Sequence, residues 1–246
     1  LRQAGADAVD WLDPAGGVLQ LDPAEFIEMI VEAHDPIALV EGRNFRFGRK
    51  RAGDTETLAA LGAKMGFELR VLDLELVALR DKTLAPLSSS LVRWMIGEGR
   101  VADATLCLNR PWAMRGRVVP GAQRGRDLGS PTANLQTTPQ MLPADGVYAG
   151  LARIDDEPGE HLAALSVGTR PTFDQDPHPR AAEVFLLDYE GDLYDKTLTV
   201  DVLRWLRDQR AFPTAEALKR QIGHDVAWTR RLADRDLLDP AALSTD

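Results

Sequence analysis

The chain has 246 residues, 44% of them hydrophobic, which is enough for one large or two modest domains with a buried core. Its formal net charge of −9 argues against a nucleic-acid-binding protein, which usually carries a basic face. Cys107 is the single cysteine, which excludes an intrachain disulfide and a cysteine-based metal site. No apolar run approaches the ~20 residues of a membrane-spanning helix. We therefore expect a cytoplasmic protein with no nucleic-acid or membrane partner, and the sequence does not specify its oligomeric state.

Helix and strand patterns alternate along residues 1–100. The sequence Asp-Pro-Ala-Glu at 22–25 combines an N-cap, a proline at the first helical position and a capping-box glutamate, which predicts a helix start. The apolar run at 37–40 predicts a short buried strand, and 54–66 predicts a second helix that ends at a glycine. A further strand at 68–72 and a helix at 88–96 are expected next. This order predicts a parallel sheet with covering helices.

After residue 109, strand-like segments follow one another without helices between them. They are expected at 113–119, 146–154, 162–168, 182–188 and 197–204, and a final helix is expected from 214 to 233. Consecutive strands predict an antiparallel sheet or barrel. The expected fold class is therefore α/β followed by β, with one domain at 1–108 and a second at 109–246.

The segment at 125–134 is rich in glycine, small hydroxyl residues and proline. Glycines permit a close approach of the backbone to phosphate. Thr132 and Asn134 carry hard oxygen atoms of the type that Mg²⁺ prefers. These features favour a loop that binds phosphate and metal. A turn between two strands is the alternative that the residues leave open.

Glu183 is the one charged residue in the apolar stretch at 181–187. A carboxylate in such a stretch is costly to bury unless it has a partner or a function. Glu183 is therefore a candidate general base. The alternative is that its side chain points to solvent from the polar face of an alternating strand.

Five segments in the second half of the chain resemble motifs of the riboflavin kinase family, and they occur in that family's order. They are Pro-Thr-Ala-Asn at 131–134, Leu-Pro with Gly-Val-Tyr at 142–148, Val-Gly-Thr-Arg-Pro-Thr-Phe at 167–173, Glu-Val-Phe-Leu-Leu-Asp at 183–188, and Leu-Arg with Phe at 206–212. One four-residue match is weak, whereas five ordered matches are specific. Two positions depart from the family pattern, because Ser130 replaces a frequent aromatic residue and Phe185 a frequent histidine.

The resemblance implies an antiparallel riboflavin kinase β-barrel with a C-terminal helix, which uses ATP and Mg²⁺ to convert riboflavin to FMN. Glu183 matches the family's catalytic glutamate, and Thr132 and Asn134 match its metal-binding residues. Arg207 is the flavin-binding residue that the resemblance implies, because it lies near the end of the domain at which the family binds flavin. The nucleotide-binding residues that the resemblance implies are Arg126, Gly129, Ser130, Pro131, Thr132 and Asn134.

The first half of the chain resembles part of FMN adenylyltransferase, the Rossmann-like nucleotidyltransferase domain that bacterial FAD synthetases join to this kinase. The residues that match are Asn44 and Phe47 in the loop at 42–48, and Ser88, Ser89, Ser90 and Arg93 in the segment at 88–93. Five cations at 43–51 suit a pyrophosphate or, alternatively, form a solvated loop. The family's early His-x-Gly-His motif is not in the sequence. We therefore expect a remnant that lacks the N-terminal part of the domain and its adenylyltransferase activity.

The expected function is that of a riboflavin kinase in flavin cofactor biosynthesis, with ATP and riboflavin as its partners. Two alternatives stay open: the complete bifunctional kinase and FAD synthetase seen as a fragment, and a non-catalytic module that binds flavin or nucleotide. A Glu183→Ala variant separates the kinase from the binding module. If the chain is a kinase, the variant should still bind flavin but lose turnover, whereas a pure binder needs no general base.

Overall fold

The computed structural model describes residue 2 and residues 5–121, 132–137, 140–169 and 180–239. The chain divides into two compact units, Leu1–Glu75 and Leu76–Asp246. Each unit is built around a hydrophobic cluster of its own. Within the described residues, no helix has both the length and the apolar character needed to cross a bilayer.

Two helices and a two-stranded parallel sheet form the first unit. Its elements are α1 (Pro23–His34), β1 (Ala38–Gly42), α2 (Thr55–Met65) and β2 (Glu68–Leu72), with short 3-10 turns at Pro14–Gly16, Val18–Gln20 and Arg49–Arg51. The register pairs Ala38 with Glu68 and Gly42 with Leu72. The predicted parallel pairing of these strands is confirmed.

Local capping sets the ends of both helices in this unit. Asp22 accepts hydrogen bonds from the backbone N–H groups of Ala24 and Glu25 at 2.9 and 3.0 Å, and the Asp22 N–H donates to the Glu25 carboxylate. This reciprocal arrangement is the predicted capping box. Asp54 caps α2, which ends at Gly66 in a left-handed conformation with φ +90°.

The strand predicted at 37–40 forms, but the prediction that it is buried is wrong. Ile37 is 88% exposed and Val40 is 54% exposed. In this unit the helices cover one face of the sheet, where Leu39 and Leu69 pack onto the hydrophobic cluster. An apolar run marks a strand buried on both faces only where a second layer covers the other face.

The second unit begins with a hairpin and two helices. Strands β3 (Leu76–Ala78) and β4 (Leu84–Pro86) pair antiparallel, and α3 (Ser89–Gly97) and α4 (Val101–Leu108) follow. The helix predicted at 88–96 is confirmed as α3. The sequence pattern predicts neither the hairpin nor α4, because three-residue strands and an eight-residue helix are too short to show a clear period.

Six antiparallel strands close into a barrel, which confirms the predicted antiparallel sheet or barrel, although the strand at 133–137 is not among the five that the sequence predicts. They are β5 (Trp112–Val119), β6 (Ala133–Thr137), β7 (Gly146–Ile154), β8 (His161–Gly168), β9 (Ala181–Leu186) and β10 (Thr197–Arg207). Their order around the barrel is β10-β5-β6-β9-β8-β7. Strand β10 closes the barrel because its 11 residues pair with both β5 and β7. Two register shifts interrupt the pairing of β10 with β7, between Val202 and Arg204 and between Trp205 and Arg207.

Alternate residues of the barrel strands fill the interior with apolar side chains, except that β7 and β10 each contain a run of consecutive buried residues. In β9, Ala182, Val184 and Leu186 are buried, and the residues between them are half-buried. Tyr148 is fully buried and donates its hydroxyl to the Ala144 carbonyl at 2.6 Å. Burial raises the pKa of that hydroxyl. The other half of each strand is left to form the outer face of the barrel.

Helix α5 (Ala215–Ala233) packs on the outer face of β7 and β8, which confirms the helix predicted at 214–233. Thr214 caps it by accepting a hydrogen bond from the Ala217 N–H at 3.1 Å. Ala149, Leu203 and Leu238 are the buried residues of a small cluster against which Leu232 also packs. The helix therefore covers one side of the barrel's outer face.

Candidate functional site

Three neighbouring strands place polar side chains in one row across the outer face of the barrel. The register pairs Asn134 of β6 with Glu183 of β9, and Glu183 with Ser166 of β8. Residues directly opposite each other in antiparallel strands share a face, with Cβ atoms about 4.5–5.5 Å apart. We call these three residues the polar row. Asn134 and Glu183, which sequence places 49 positions apart, are therefore direct neighbours.

Glu183 is half-buried on the outer face of β9, while its neighbours Ala182 and Val184 point into the barrel. The strand therefore alternates apolar-in and polar-out, and the carboxylate is not sealed in the apolar interior. Asn134 and Ser166 are half-buried in the same way. Each of the three side chains therefore keeps part of its surface exposed.

The backbone at Gly121 makes room for the amide of Asn134. A Cβ at Gly121 would collide with the Asn134 side chain. Thr132 is half-buried and immediately precedes β6, two residues from Asn134. The amide oxygen and this hydroxyl therefore belong to the same edge of the barrel.

Four of the residues named above as candidates for nucleotide binding lie outside the described residues. They are Arg126, Gly129, Ser130 and Pro131.

A segment after β10 reaches back to the polar row. The Gln209 Nε2 donates a hydrogen bond to the Ser166 Oγ at 3.0 Å. Gly168, at φ +134°, leaves room for Gln209: a Cβ there would lie 2.5 Å from the Gln209 Oε1 and 2.8 Å from the Asp145 Cγ. The Asp145 carboxylate in turn accepts from the Arg180 Nε at 2.6 Å. Sequence reasoning missed Ser166 and Gln209, since a serine in a strand and a glutamine in a loop carry no distinctive pattern.

Arg207 ends β10 and is held by helix α5. Its Nε and Nη2 donate to the Asp225 carboxylate at 3.0 and 2.8 Å. The two side chains are 14% and 8% exposed, and the guanidinium lies 5.6 Å from the centre of the Phe212 ring. The charge of Arg207 is therefore engaged within the fold, where it joins the barrel to α5.

The residues that resemble an adenylyltransferase are divided between the two units. In the first unit, Asn44 is exposed, whereas Phe47 is buried in the core and stacks on Phe45 at 5.4 Å. The cations at 43–51 are exposed, and Arg43 pairs with Asp73.

In the second unit, the three serines and Arg93 lie at the start of α3. Ser88 caps the helix by accepting from the Leu91 N–H at 3.1 Å, and the Arg93 Nη2 donates to the Ser89 Oγ at 3.4 Å. Ser90 is exposed. A helix cap accounts for Ser88 without any ligand.

No three or more His, Cys, Asp or Glu side chains cluster as metal ligands in the part of the chain that the structure describes. A cation at the polar row would instead meet amide and hydroxyl oxygens with one carboxylate opposite. Mg²⁺ takes such hard oxygen donors and usually fills its other positions with water or substrate phosphates. The donor set of Thr132 and Asn134 fits that ion.

Comparison with known proteins matches the two parts of the chain to two different families. The profile of the riboflavin kinase family matches residues 108–233, and that of the FAD synthetase family matches residues 1–82. A bifunctional riboflavin kinase/FMN adenylyltransferase from Pseudomonas fluorescens is 38% identical over 87% of this chain and 66% of its own length. The enzyme of the same name from Buchnera aphidicola is 32% identical over 76% of this chain and 58% of its own. The chain therefore spans less than two thirds of the length of these relatives.

One solved structure resembles the chain over most of its length. A crystal structure described as a macrolide-efflux protein from Streptococcus pneumoniae has a TM-score of 0.78 and 30% sequence identity. The match covers 93% of this chain and 71% of the other.

Proposed function

Because the chain belongs to the riboflavin kinase family, we propose that it transfers the γ-phosphoryl group of ATP to the 5′-hydroxyl of riboflavin, which yields FMN and ADP. The observation that carries this proposal is the pairing of Asn134 with Glu183 on one face of the barrel. This register sets an amide side chain opposite a carboxylate, which supports the proposal because phosphoryl transfer needs a metal ion and a residue that positions the nucleophile close together. ATP and riboflavin are the proposed partners, without nucleic acid or membrane, and the proposed location is the cytoplasm.

Glu183 is the proposed general base. The ribityl 5′-oxygen forms a bond to the γ-phosphorus while the bond from that phosphorus to the β,γ-bridging oxygen breaks. ADP leaves with the electron pair of the broken bond, and the hydroxyl proton passes to the Glu183 carboxylate. The outer-face position of Glu183 supports this role, because a substrate hydroxyl can approach a half-buried carboxylate.

Thr132 and Asn134 are the proposed protein ligands of Mg²⁺. Their hydroxyl and amide oxygens are hard donors, and Glu183 lies opposite Asn134. When bound, the ion supplies positive charge that screens the phosphate oxygens. Arg126, Gly129, Ser130 and Pro131, which precede this pair along the chain, are proposed to hold the nucleotide with it.

Arg207 is proposed to shape the flavin side of the site through α5 and not through its charge, since Asp225 holds the guanidinium.

Residues 109–246 are proposed as the kinase domain and 1–108 as an adenylyltransferase-like part. In that part, the proposed remnant of the second site is Asn44, Phe47, Ser88, Ser89, Ser90 and Arg93.

The match at 1–82 favours adenylyl transfer to FMN as a second candidate function. Because residues 1–246 hold no His-x-Gly-His motif, we expect this polypeptide to stop at FMN. Chromatography of products distinguishes the two functions, since FAD would appear after FMN if both activities were present.

The test incubates the chain with riboflavin, ATP and Mg²⁺ and separates the flavins. We expect FMN from the wild type, no FMN when the metal is chelated, and recovery when Mg²⁺ is restored. Glu183→Gln should lower turnover by about 10²–10⁴-fold, because the amide cannot accept the proton. Glu190→Gln serves as the matched control, since Glu190 is exposed and lies outside the polar row.

Three outcomes would contradict parts of the proposal. Wild-type turnover by the Glu183→Gln variant would show that Glu183 is not the base. Folded wild-type protein that binds riboflavin and forms no FMN would support the non-catalytic binding module. FAD formed at a rate comparable to FMN would show that the adenylyltransferase-like part is active.

A further inference from the structure

Ser166 is the third member of the polar row, and it lies directly opposite the proposed base. The register pairs Ser166 with Glu183 on one side and with Val147 of β7 on the other. Ser166 and Glu183 are both half-buried on the outer face. At the Cβ separation of a cross-strand pair, about 4.5–5.5 Å, a serine hydroxyl can reach a glutamate carboxylate.

The hydrogen bond from Gln209 makes the Ser166 oxygen an acceptor and leaves the hydroxyl hydrogen for a second bond. The Gln209 Nε2 donates to the Ser166 Oγ at 3.0 Å, so the amide occupies one lone pair of that oxygen. A serine hydroxyl has a single hydrogen of its own to donate. Of the described side chains, Gln209 alone bonds to this hydroxyl. The hydrogen of Ser166 is therefore available to an acceptor on the Glu183 side.

Gln209 lies between Gly168 and an anchored segment of the chain. Its Oε1 lies over the backbone of Gly168, where a Cβ would come within 2.5 Å of it. Its backbone follows Arg207, which the Asp225 carboxylate anchors to α5. The Gln209 Oε1 therefore lies close to Gly168 while the Nε2–H donates to Ser166.

We propose that Ser166, oriented by Gln209, is a positioning residue of the phosphoryl transfer, whose hydroxyl turns to donate to the Glu183 carboxylate when the substrates are bound. This inference rests on the proposed function. The hydrogen bond holds the carboxylate in the rotamer that faces the substrate hydroxyl, while substrate binding does not depend on it. Loss of the bond should therefore lower kcat and leave KM for riboflavin and ATP unchanged.

The test compares Ser166→Ala, Ser166→Thr, Gln209→Ala and the Ser166→Ala/Gln209→Ala double variant with the wild type. The free energy of a hydrogen bond to a charged group corresponds to a roughly 10- to 100-fold change in rate. We therefore expect kcat of Ser166→Ala to fall by that factor. Ser166→Thr retains the hydroxyl and should recover most of the loss. Gln209→Ala should lower kcat on its own and have little further effect in the double variant, because the two residues act in series. Asp208→Ala is the matched control for Gln209→Ala, since Asp208 is its exposed neighbour.

The inference is overturned by any of three results: wild-type kcat in Ser166→Ala, equal losses in Ser166→Ala and Ser166→Thr, or additive losses in the double variant. Gln209→Ala changes a loop residue, so it tests the same prediction even where Ser166→Ala fails to fold. Glu183→Gln is measured in parallel. If it retains activity, the proposed base is rejected, whereas activity lost in Glu183→Gln and kept in Ser166→Ala rejects the Ser166 inference alone.

Discussion

Gly168 combines two features that exclude a side chain. Its φ of +134° lies in the region that L-residues rarely adopt, and a Cβ would meet Gln209 and Asp145 at 2.5 and 2.8 Å. Gly223 is the opposite case, because it lies within α5 and a Cβ there would meet nothing within 4 Å. One glycine is needed for the position of its neighbours, whereas the other weakens a helix.

We predict that Gly168→Ala and Gly223→Ala shift stability in opposite directions. Gly168→Ala should lower the free energy of unfolding by at least about 1–3 kcal/mol, the cost of a strained backbone, with steric overlap in addition. Gly223→Ala should raise it by about 0.5–1 kcal/mol, since alanine loses less entropy in a helix. Urea unfolding of both variants checks the prediction, and a neutral Gly168→Ala would contradict it.

Helix α5 is joined to the barrel by ion pairs of two kinds. Asp225 is 8% exposed and accepts from Arg207 and from the Gln221 Nε2, the latter at 2.9 Å. Arg230 and Asp188 also pair, but their side chains are 50% and 73% exposed. Removal of one partner of a buried pair leaves an uncompensated charge, whereas an exposed pair is solvated in either state.

Asp225→Ala should therefore destabilise the protein by about 3–5 kcal/mol, while Arg230→Ala should cost about 1 kcal/mol or less. Replacement of both buried partners, as in Arg207→Met/Asp225→Leu, should recover much of the loss because no charge is left unpaired. Thermal or urea unfolding of the three variants provides the measurement. Equal effects of Asp225→Ala and Arg230→Ala would show that burial does not set the strength of these pairs.

At the scale of the molecule, the segment 76–108 packs with the barrel. Val101, at the start of α4, is 1% exposed and belongs to the same hydrophobic cluster as the barrel interior. Helix α4 contacts β5 and β10, and Trp112 of β5 packs against the cluster that α3 and α4 share. The barrel therefore has a structural need for residues that precede the riboflavin kinase match.

We predict that a polypeptide of residues 76–246 is more stable than one of residues 109–246. The shorter chain loses the fully buried Val101 and the packing of α4, which should cost at least about 2 kcal/mol. Its unfolding midpoint should fall by several degrees. Calorimetry of the two polypeptides tests this, and equal midpoints would show that α3 and α4 add nothing to the barrel.

Sequence alone accounts for the elements whose signals are local. The capping box at Asp22, the cap at Asp54 and the glycine end at Gly66 each act within a few residues, so the helix ends follow from neighbours in the chain. Five of the six barrel strands are predictable from their length and apolar pattern, whereas β6, with five residues, and α4, with eight, are too short to show a clear period. The motifs at Asn134 and Glu183 single out both residues as site candidates.

Long-range pairing decides which residues of the candidate site become neighbours, because the order of strands in a barrel is not encoded in any one strand. Strand β6 lies beside β9, with β7 and β8 between them in the chain, and this places Asn134 opposite Glu183. The same closure brings Ser166 to Glu183, and a segment beyond β10 brings Gln209 to Ser166. The exposure of β1 likewise depends on which layers cover the sheet, and the residues of the strand alone do not predict those layers.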